Sequence, residues 1–188
     1  RHAVPLSVDR AESVEFANGS GISVGTSLRG DTLQKLHISE YGKIIARYPD
    51  KAREIKTGAL NTVHAGQQIF VESTAEGQAG EFYDLVKLAR ENKDIGKELN
   101  ALDPKFHFYP WYTNLDYVLN DDNVVITRDF QDYFDSLDVE IRADQRCWYT
   151  GKAQLMGEDM KREYPSTPDE SFEASLEGSY YQKEMTLV

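Results

Sequence analysis

The chain has 188 residues, of which 28% are charged and 40% hydrophobic, a composition typical of an ordinary globular domain and not of a disordered segment. Its formal net charge of −11 excludes a protein whose whole surface is basic, although it leaves room for a local basic stripe. Cys147 is the single cysteine, so a disulfide framework is excluded, a reducing compartment is expected, and this residue is predicted to belong to the core. No apolar run approaches the ~18 residues of a membrane span and no basic-then-apolar leader opens the chain, so we expect a soluble protein.

The first half of the chain has the patterns of an α/β fold. Residues 13–17 and 21–27 alternate between polar and apolar side chains, and "NGSG" between them is typical of a hairpin turn. Further strands are predicted over residues 35–39, 68–72 and 106–110. Helices are predicted over residues 50–63 and 81–102 from apolar side chains at helical spacing, with Phe82, Leu85, Val86, Leu88 and Ala89 as the stripe of the second.

The second half changes character and is predicted to be helical. Residues 129–160 are rich in helical patterns, and the side chains expected to point inward are Phe130, Phe134, Leu137, Ile141, Trp148, Leu155 and Met156. Residues 163–172 are predicted to be a loop whose Ser-x-x-Glu or Thr-x-x-Glu pattern is of the kind that caps a short helix. The predicted architecture is therefore an α/β sheet lobe over residues 1–112, followed by a smaller helical lobe over residues 113–188.

Two predicted strands of the first lobe end in an acid. "LHISE" ends at Glu40, and "IFVE" ends at Glu72, which is followed by small polar residues. In a parallel sheet, ligands bind beyond the carboxyl ends of the strands, so both acids are candidates for one crevice. A carboxylate in that position can accept a proton from an attacking water or hold a metal-bound water. The alternative is that these are two unrelated turn residues.

Several spaced segments resemble the ATPase motor of phage terminase large subunits, the proteins that pump viral DNA into capsids. The resemblance rests on "SGISVGTSLRGDTLQKLHISEYGKI" with "QQIFVESTAEG", and on the later "FHFYPWYTN" and "WYTGKAQLMGEDMKREYPSTPDESFEAS". It implies a partial P-loop NTPase sheet of the ASCE type over residues 1–112, forming the C-terminal part of the ATPase core. Residues 113–188 then correspond to the helical lid or linker lobe.

The resemblance assigns the end of the first acid-ended strand to the Walker B segment. Glu40 corresponds to the catalytic glutamate that orients and activates water for attack on the γ-phosphate of ATP. Ser39 stands where the family has an aspartate that helps to hold Mg²⁺. A serine hydroxyl brings no charge, so the expected metal contact of Ser39 is indirect, through a water.

The segment "ESTAEG" resembles the coupling motif of the same family. Glu72, Ser73 and Thr74 are therefore expected at the nucleotide, with Ser73 and Thr74 relaying hydrolysis to motion. Arg29 corresponds to the finger that reaches a neighbouring subunit's γ-phosphate, a contact worth about 10³–10⁵ in rate where it operates. The alternatives are a simple polar turn at residues 73–74 and a surface arginine paired with Asp31.

No Gly-x-x-x-x-Gly-Lys-Ser/Thr motif occurs in the chain, so the phosphate-cradling loop and its lysine are absent from these 188 residues. In the family that loop lies upstream of the part that this chain resembles, and the nuclease domain lies downstream. We therefore expect an internal segment of a terminase that is inactive on its own.

The resemblance also implies the partners and the setting of the whole protein. ATP and Mg²⁺ are the expected cofactors, and double-stranded DNA, a portal protein, a small terminase subunit and a homo-oligomeric ring are the expected partners, in the cytoplasm of a bacterial host. Candidate basic residues for DNA phosphates follow Glu40, and a solvated helix face explains them equally well: Lys43, Arg47, Lys51, Arg53 and Lys56. The rival hypotheses are a helicase-like DNA translocase of the same fold and a non-catalytic assembly module.

Overall fold

The computed structural model describes residues 4–26, 33–58, 60 and 63–173, without the side chain of Ala65. It confirms a mixed α/β chain. The strands are β1 (Leu6–Arg10), β2 (Ser13–Phe16), β3 (Gly21–Ser23), β4 (Leu33–Ile38) and β5 (Val63–Val71). The helices are α1 (Tyr41–Arg47), α2 (Pro49–Thr57), α3 (Glu81–Asp94), α4 (Arg128–Ser136), α5 (Ala143–Met156), α6 (Asp159–Glu163) and α7 (Pro168–Glu173), with a short 3₁₀ helix at Trp111–Thr113. In the described part of the chain, none of these helices combines the length and the apolar character that crossing a membrane requires.

The chain divides into two compact units. The first comprises Arg1–His37 and Asp50–Phe70, and the second comprises Ile38–Pro49 and Val71–Val188. The predicted boundary between lobes at residue 112 stays a prediction.

The first unit contains an antiparallel sheet in the order β1-β2-β3. Val14 of β2 lies opposite Ile22 of β3 in this hairpin. In the turn, the Asn18 side chain accepts hydrogen bonds from the N–H and the hydroxyl of Ser20, at 3.1 and 2.7 Å. Because an asparagine that bonds two residues onward stabilises a tight turn, the predicted hairpin forms.

β4 and β5 form a separate two-stranded sheet. The helix predicted over residues 50–63 is wrong at its end, because α2 ends at Thr57 and Val63 begins β5, while residues 59, 61 and 62 lie outside the described residues. The strand predicted at residues 68–72 consequently starts five residues earlier, at Val63. Val63, Ile69 and Phe70 are β-branched or aromatic residues, which favour a strand. β4 supplies the hydrogen-bonding partner of this strand, and the spacing of apolar residues along the sequence does not reveal such a partner.

In the second unit, α3 begins at Glu81 as predicted but ends at Asp94, well before residue 102. Gly96 adopts the left-handed conformation, with φ +63°. The N–H groups of Gly96 and Lys97 donate to the carbonyls of Lys93 and Asn92, at 3.1 and 2.9 Å. This paired bonding is the Schellman motif, and glycine suits it because it has no Cβ to clash. Leu88, predicted to be inward, is 46% exposed.

A hydrophobic core lies among α4, α5 and α6. Its buried members are Trp111, Phe134, Ile141, Tyr149 and Met160, and the partly buried side chains against it include Phe130, Leu137, Trp148 and Met156. Cys147 is buried, as predicted. The inward prediction for Leu155 is wrong, since that side chain is 83% exposed. Its neighbour Met156 faces the core, and successive residues of a helix point about 100° apart.

The strand predicted over residues 106–110 is also wrong. This segment has no ladder partner among the described residues, and it leads directly into the 3₁₀ helix at Trp111–Thr113. Pro110 has no N–H to donate, and the Tyr109 side chain is 80% exposed, whereas Trp111 is buried. The apolar composition of this segment therefore serves to place Trp111 in the core.

Helix α7 is held to this core by hydrogen bonds that end on a buried carboxylate. The Thr167 hydroxyl accepts from the Glu170 N–H at 3.2 Å, which confirms the predicted capping pattern. The Glu170 carboxylate accepts from the Ser166 N–H at 2.5 Å and from the Tyr133 hydroxyl at 2.7 Å. Since the Tyr133 proton is used there, the Ser166 hydroxyl donates to Tyr133 at 2.7 Å and accepts from the indole N–H of Trp111 at 2.8 Å.

Candidate functional site

The candidate site lies in the second unit, where residues 38–42 meet residues 71–76. The Glu72 N–H donates to the Ile38 carbonyl at 3.0 Å, and the Tyr41 N–H donates to the Glu72 carbonyl at 3.1 Å. Both bonds tie Glu72 to the segment in which β4 leads into α1. The ends of the two predicted acid-bearing strands therefore lie side by side, as the sequence predicted.

Glu40 has a backbone conformation that is unusual for its residue type. Its φ of 57° and ψ of 36° are left-handed, and among the described residues it is the only non-glycine with a positive φ. Such a conformation costs on the order of 1 kcal/mol, and it is found preferentially at functional sites. It allows the chain to turn directly from β4 into α1, whose first turn includes the 3.0 Å bond from the Ile44 N–H to the Glu40 carbonyl.

The Glu40 side chain is paired with Lys43. Its Oε2 lies 3.1 Å from Lys43 Nζ, and the two side chains are 46% and 29% exposed. That oxygen is itself buried, and the lysine approaches it without hydrogen-bond geometry. The contact is therefore an ion pair of modest strength, about 0–1 kcal/mol at such exposure. Lys43, considered from the sequence as a candidate contact for DNA phosphates, forms this ion pair with the candidate base.

The loop that follows β5 presents polar atoms without partners. The hydroxyl oxygens of Ser73 and Thr74 and the Oε1 of Glu76 are buried, and no described residue provides a hydrogen bond to them. A buried polar atom without a partner costs about 1–3 kcal/mol. A loop that keeps three such atoms together is poised to bond a polar group that the described residues do not supply.

Gly42 allows α1 to approach this loop closely. A β carbon placed on Gly42 would lie 3.0 Å from the Ser73 hydroxyl oxygen, 3.1 Å from the Thr74 carbonyl oxygen and 3.2 Å from the Phe82 ring. Any side chain here would push the loop away from the helix. Gly42 was not predicted from the sequence, although a glycine in the first turn of a short helix is a usable signal, since it costs about 1 kcal/mol relative to alanine.

Tyr41 ties α1 to the start of α3. The Tyr41 side chain is buried, and its hydroxyl donates to the Glu81 carboxylate at 3.1 Å. Burial raises the pKa of Tyr41 to about 12, with the nearby Glu81 charge and its hydrogen bond adding to the rise. The phenol is therefore neutral at physiological pH, and it fixes the position of the helix that follows the Ser73–Thr74 loop.

The remaining predicted residues are placed less centrally. Ser39 and the Glu72 side chain are exposed, and Glu72 joins the site through its backbone. Arg29 lies outside the described residues. The structure thus places the strand end at Glu40 beside the Ser73–Thr74 loop, with Gly42 packed against that loop.

The fit of this site to Mg²⁺ and ATP is partial. Within the described ranges, no group of three or more His, Cys, Asp or Glu side chains is arranged to hold a metal ion. In phosphate-bound sites Mg²⁺ keeps several waters and takes only one or two protein carboxylates, a demand that Glu40 together with Ser39 and the unpartnered hydroxyls can meet. The sequence contains no loop that could cradle a triphosphate. The residues of the site therefore fit the role of positioning the attacking water, but they do not supply the loop that binds the phosphates.

No protein-family model, no curated protein and no solved structure matches this chain. The candidate site therefore stands on its geometry.

Proposed function

We propose that this chain is a segment of a DNA-packaging terminase large subunit, which couples ATP hydrolysis to the translocation of double-stranded DNA into a procapsid. The single observation that carries the proposal is the convergence of Glu40 with the unpartnered hydroxyls of Ser73 and Thr74 at two adjacent strand ends. A strand-end carboxylate beside a small hydroxyl loop is the arrangement that a nucleotide-hydrolysing sheet requires.

Glu40 is the group that orients the attacking water in this proposal. Its left-handed backbone places the carboxylate at the strand end, where its Oε2 lies in ion-pair contact with Lys43. Release of this surface ion pair costs little, so the carboxylate is available to accept a proton from water. Bound ATP would bring the phosphates and most of the ligands of its Mg²⁺.

Ser73 and Thr74 supply the coupling step. Their hydroxyls exchange hydrogen bonds between nucleotide states at little steric cost, and they lie on the loop that leads to α3. Because Tyr41 bonds Glu81 in the first turn of α3, a shift of the loop is transmitted to that helix.

The rest of the proposal follows from the same assignment. The segment represents the C-terminal part of a P-loop NTPase core of the ASCE type with its helical lid, and Arg29 is the finger for a neighbouring subunit. The complete protein works in the host cytoplasm as a ring with a portal protein and a small terminase subunit.

The test is Glu40→Gln in the full-length protein, with ATP binding and phosphate release both measured. We expect hydrolysis to be abolished while ATP binding is kept, because the amide retains the shape of the carboxylate but cannot accept the proton. Glu98→Gln, at an exposed position outside the site, is the control. Turnover of the Glu40→Gln variant within about threefold of the parent rate, a loss of less than 1 kcal/mol, would overturn the assignment.

A further inference from the structure

A cleft of about 630 Å³ opens beside the helical core, and none of the residues that line it belongs to the proposed nucleotide site. Tyr149 and Met160, both buried, line its inner part, and Phe130 and Tyr133 of α4 line one side. Its volume falls in the range of about 300–1,000 Å³ that is usual for ligand sites.

The lining of this cleft is suited to a cation. Aromatic rings carry negative charge on their faces and attract a cation within about 6 Å of the ring centre. The cleft already contains one cation–π contact, since Lys161 Nζ lies 5.6 Å from the centre of the Tyr133 ring. Phe130 and Tyr149 add further aromatic surface to the same cleft.

The rim of the cleft is acidic. Asp129, Glu158 and Glu173 line it, and none of these three carboxylates has an ion pair with another described residue. Lys161 is the one cation of the lining, and it also lies 3.9 Å from the buried Glu170 carboxylate. The excess of negative charge disfavours phosphate groups, and so a nucleic acid, and favours a positively charged occupant.

The geometry points to a docking site for a basic segment of a partner protein, which places an arginine or lysine side chain against the aromatic wall beneath the acidic rim. The rim carboxylates come from three separate places in the chain: α4, the residue before α6, and the end of α7. Charges spread in this way match several cations along a peptide better than the single charge of a small amine. This inference goes beyond the proposed ATPase function and does not depend on it.

The test is fluorescence anisotropy of the 188-residue chain, without nucleotide and at physiological salt, using a short fluorescein-labelled peptide in which arginine and leucine alternate. We expect saturable binding that the triple variant Asp129→Asn, Glu158→Gln, Glu173→Gln weakens at least about tenfold, since charge-complementary docking loses its main attraction. Ala153→Phe, which fills the cleft, should also weaken binding, and thermal melting checks that each variant is folded.

The matched control is the triple variant Asp122→Asn, Asp138→Asn, Glu140→Gln, which removes the same charge from exposed positions outside the cleft. It should bind within about twofold of the parent, because these exposed charges do not line the cleft and salt weakens their interaction with a bound peptide. Equal weakening by both triple variants would show only a general attraction to an acidic protein and would overturn the proposal. Displacement by a DNA oligonucleotide, or equally tight binding of free arginine amide, would overturn it in favour of a nucleic acid or a small cation.

Discussion

Arg90 and Asp169 form a two-pronged ion pair: Arg90 Nη1 lies 2.6 Å from Asp169 Oδ1, and Nη2 lies 3.1 Å from Oδ2. The pair joins α3, which follows the candidate coupling loop, to the first turn of α7. The hydrogen bonds from Arg90 lower the pKa of Asp169 below its usual value, and the same contact raises the pKa of Arg90.

This pair predicts a pH-dependent contribution to stability. Asp169→Asn should lower the free energy of unfolding at pH 7 by about 0.5–1 kcal/mol, a modest value because Asp169 is largely exposed. Because the folded-state pKa of Asp169 is depressed, its contribution is present above the unfolded value of about 3.9 and is lost as the pH falls through the folded value. Urea unfolding at pH 7 and pH 3 measures this, with Asp138→Asn as the control. A difference that persists unchanged at pH 3 would contradict the ionic origin.

Removal of the buried Glu170 carboxylate should be far more costly. Glu170→Ala leaves the Tyr133 hydroxyl and the Ser166 N–H without their acceptor in a buried network. We expect a loss of about 3 kcal/mol in the free energy of unfolding, because buried donors then lack a partner. The same substitution at the exposed Glu140 is the control and should change stability by less than about 0.5 kcal/mol. Similar losses in the free energy of unfolding at both positions would show that the buried network stabilises the fold no more than an exposed carboxylate does.

Gly42 and Gly151 make a matched pair of helical glycines with opposite expectations. Gly42→Ala places a methyl group 3.0–3.2 Å from three atoms of the loop and α3, whereas at Gly151 the nearest atom is 3.6 Å away, an ordinary contact. We expect Gly42→Ala to destabilise the chain by about 1–3 kcal/mol and Gly151→Ala to stabilise it by about 0.5–1 kcal/mol. Thermal and urea unfolding of both variants measure this. Stabilisation by Gly42→Ala would mean that the loop does not lie against α1.

Thr74→Val tests the coupling role of the loop. The Thr74 hydroxyl has no hydrogen-bond partner among the described residues, so an isosteric valine should leave the fold intact. In the full-length motor we expect DNA translocation to fall more than ATPase activity does. Thr150→Val is the matched control, since that threonine is also buried with an unpartnered hydroxyl but belongs to α5. If Thr74→Val lowered translocation and ATPase activity equally, the loop would have a structural role and no specific coupling role.

The 188-residue chain by itself should not hydrolyse ATP. It contains no lysine-bearing phosphate loop, and its net charge of −11 repels a triphosphate, although weakly at physiological salt. An arginine finger at Arg29 would act on a neighbour's nucleotide and so would not restore binding. Calorimetric titration with ATP and Mg²⁺, together with a phosphate-release assay, measures this. Micromolar binding with turnover would show that the resemblance to terminases, or the extent of the motor, has been misjudged.

Sequence patterns determined those features whose partners lie within a few residues along the chain. The β2–β3 hairpin depends on Asn18 bonding Ser20, and the start of α7 depends on Thr167 bonding Glu170. The end of α3 at Asp94 is equally local, and Gly96 just beyond it was a signal that the longer helical prediction overlooked. Such contacts are encoded by neighbouring side chains, because forming them closes only short loops.

The sequence also determined part of the candidate site. The rule that ligands lie beyond the carboxyl ends of adjacent strands predicted that the strand ends at Glu40 and Glu72 lie at one crevice. The backbone bonds of Glu72 place these two strand ends together, although the Glu72 side chain is exposed. Their catalytic and coupling roles remain predictions.

Tertiary structure alone decided which atoms meet across long separations in sequence. The approach of Gly42 to Ser73, the bond from Tyr41 to Glu81 and the cleft beside Tyr133 depend on how helices and strands pack. The same limit explains the errors at Val63 and at residues 106–110. In both places the side-chain spacing favoured one element, and the presence or absence of a pairing strand decided another. A periodic pattern specifies which face of an element is apolar, but the partner that covers that face is selected by the free energy of the whole packed arrangement.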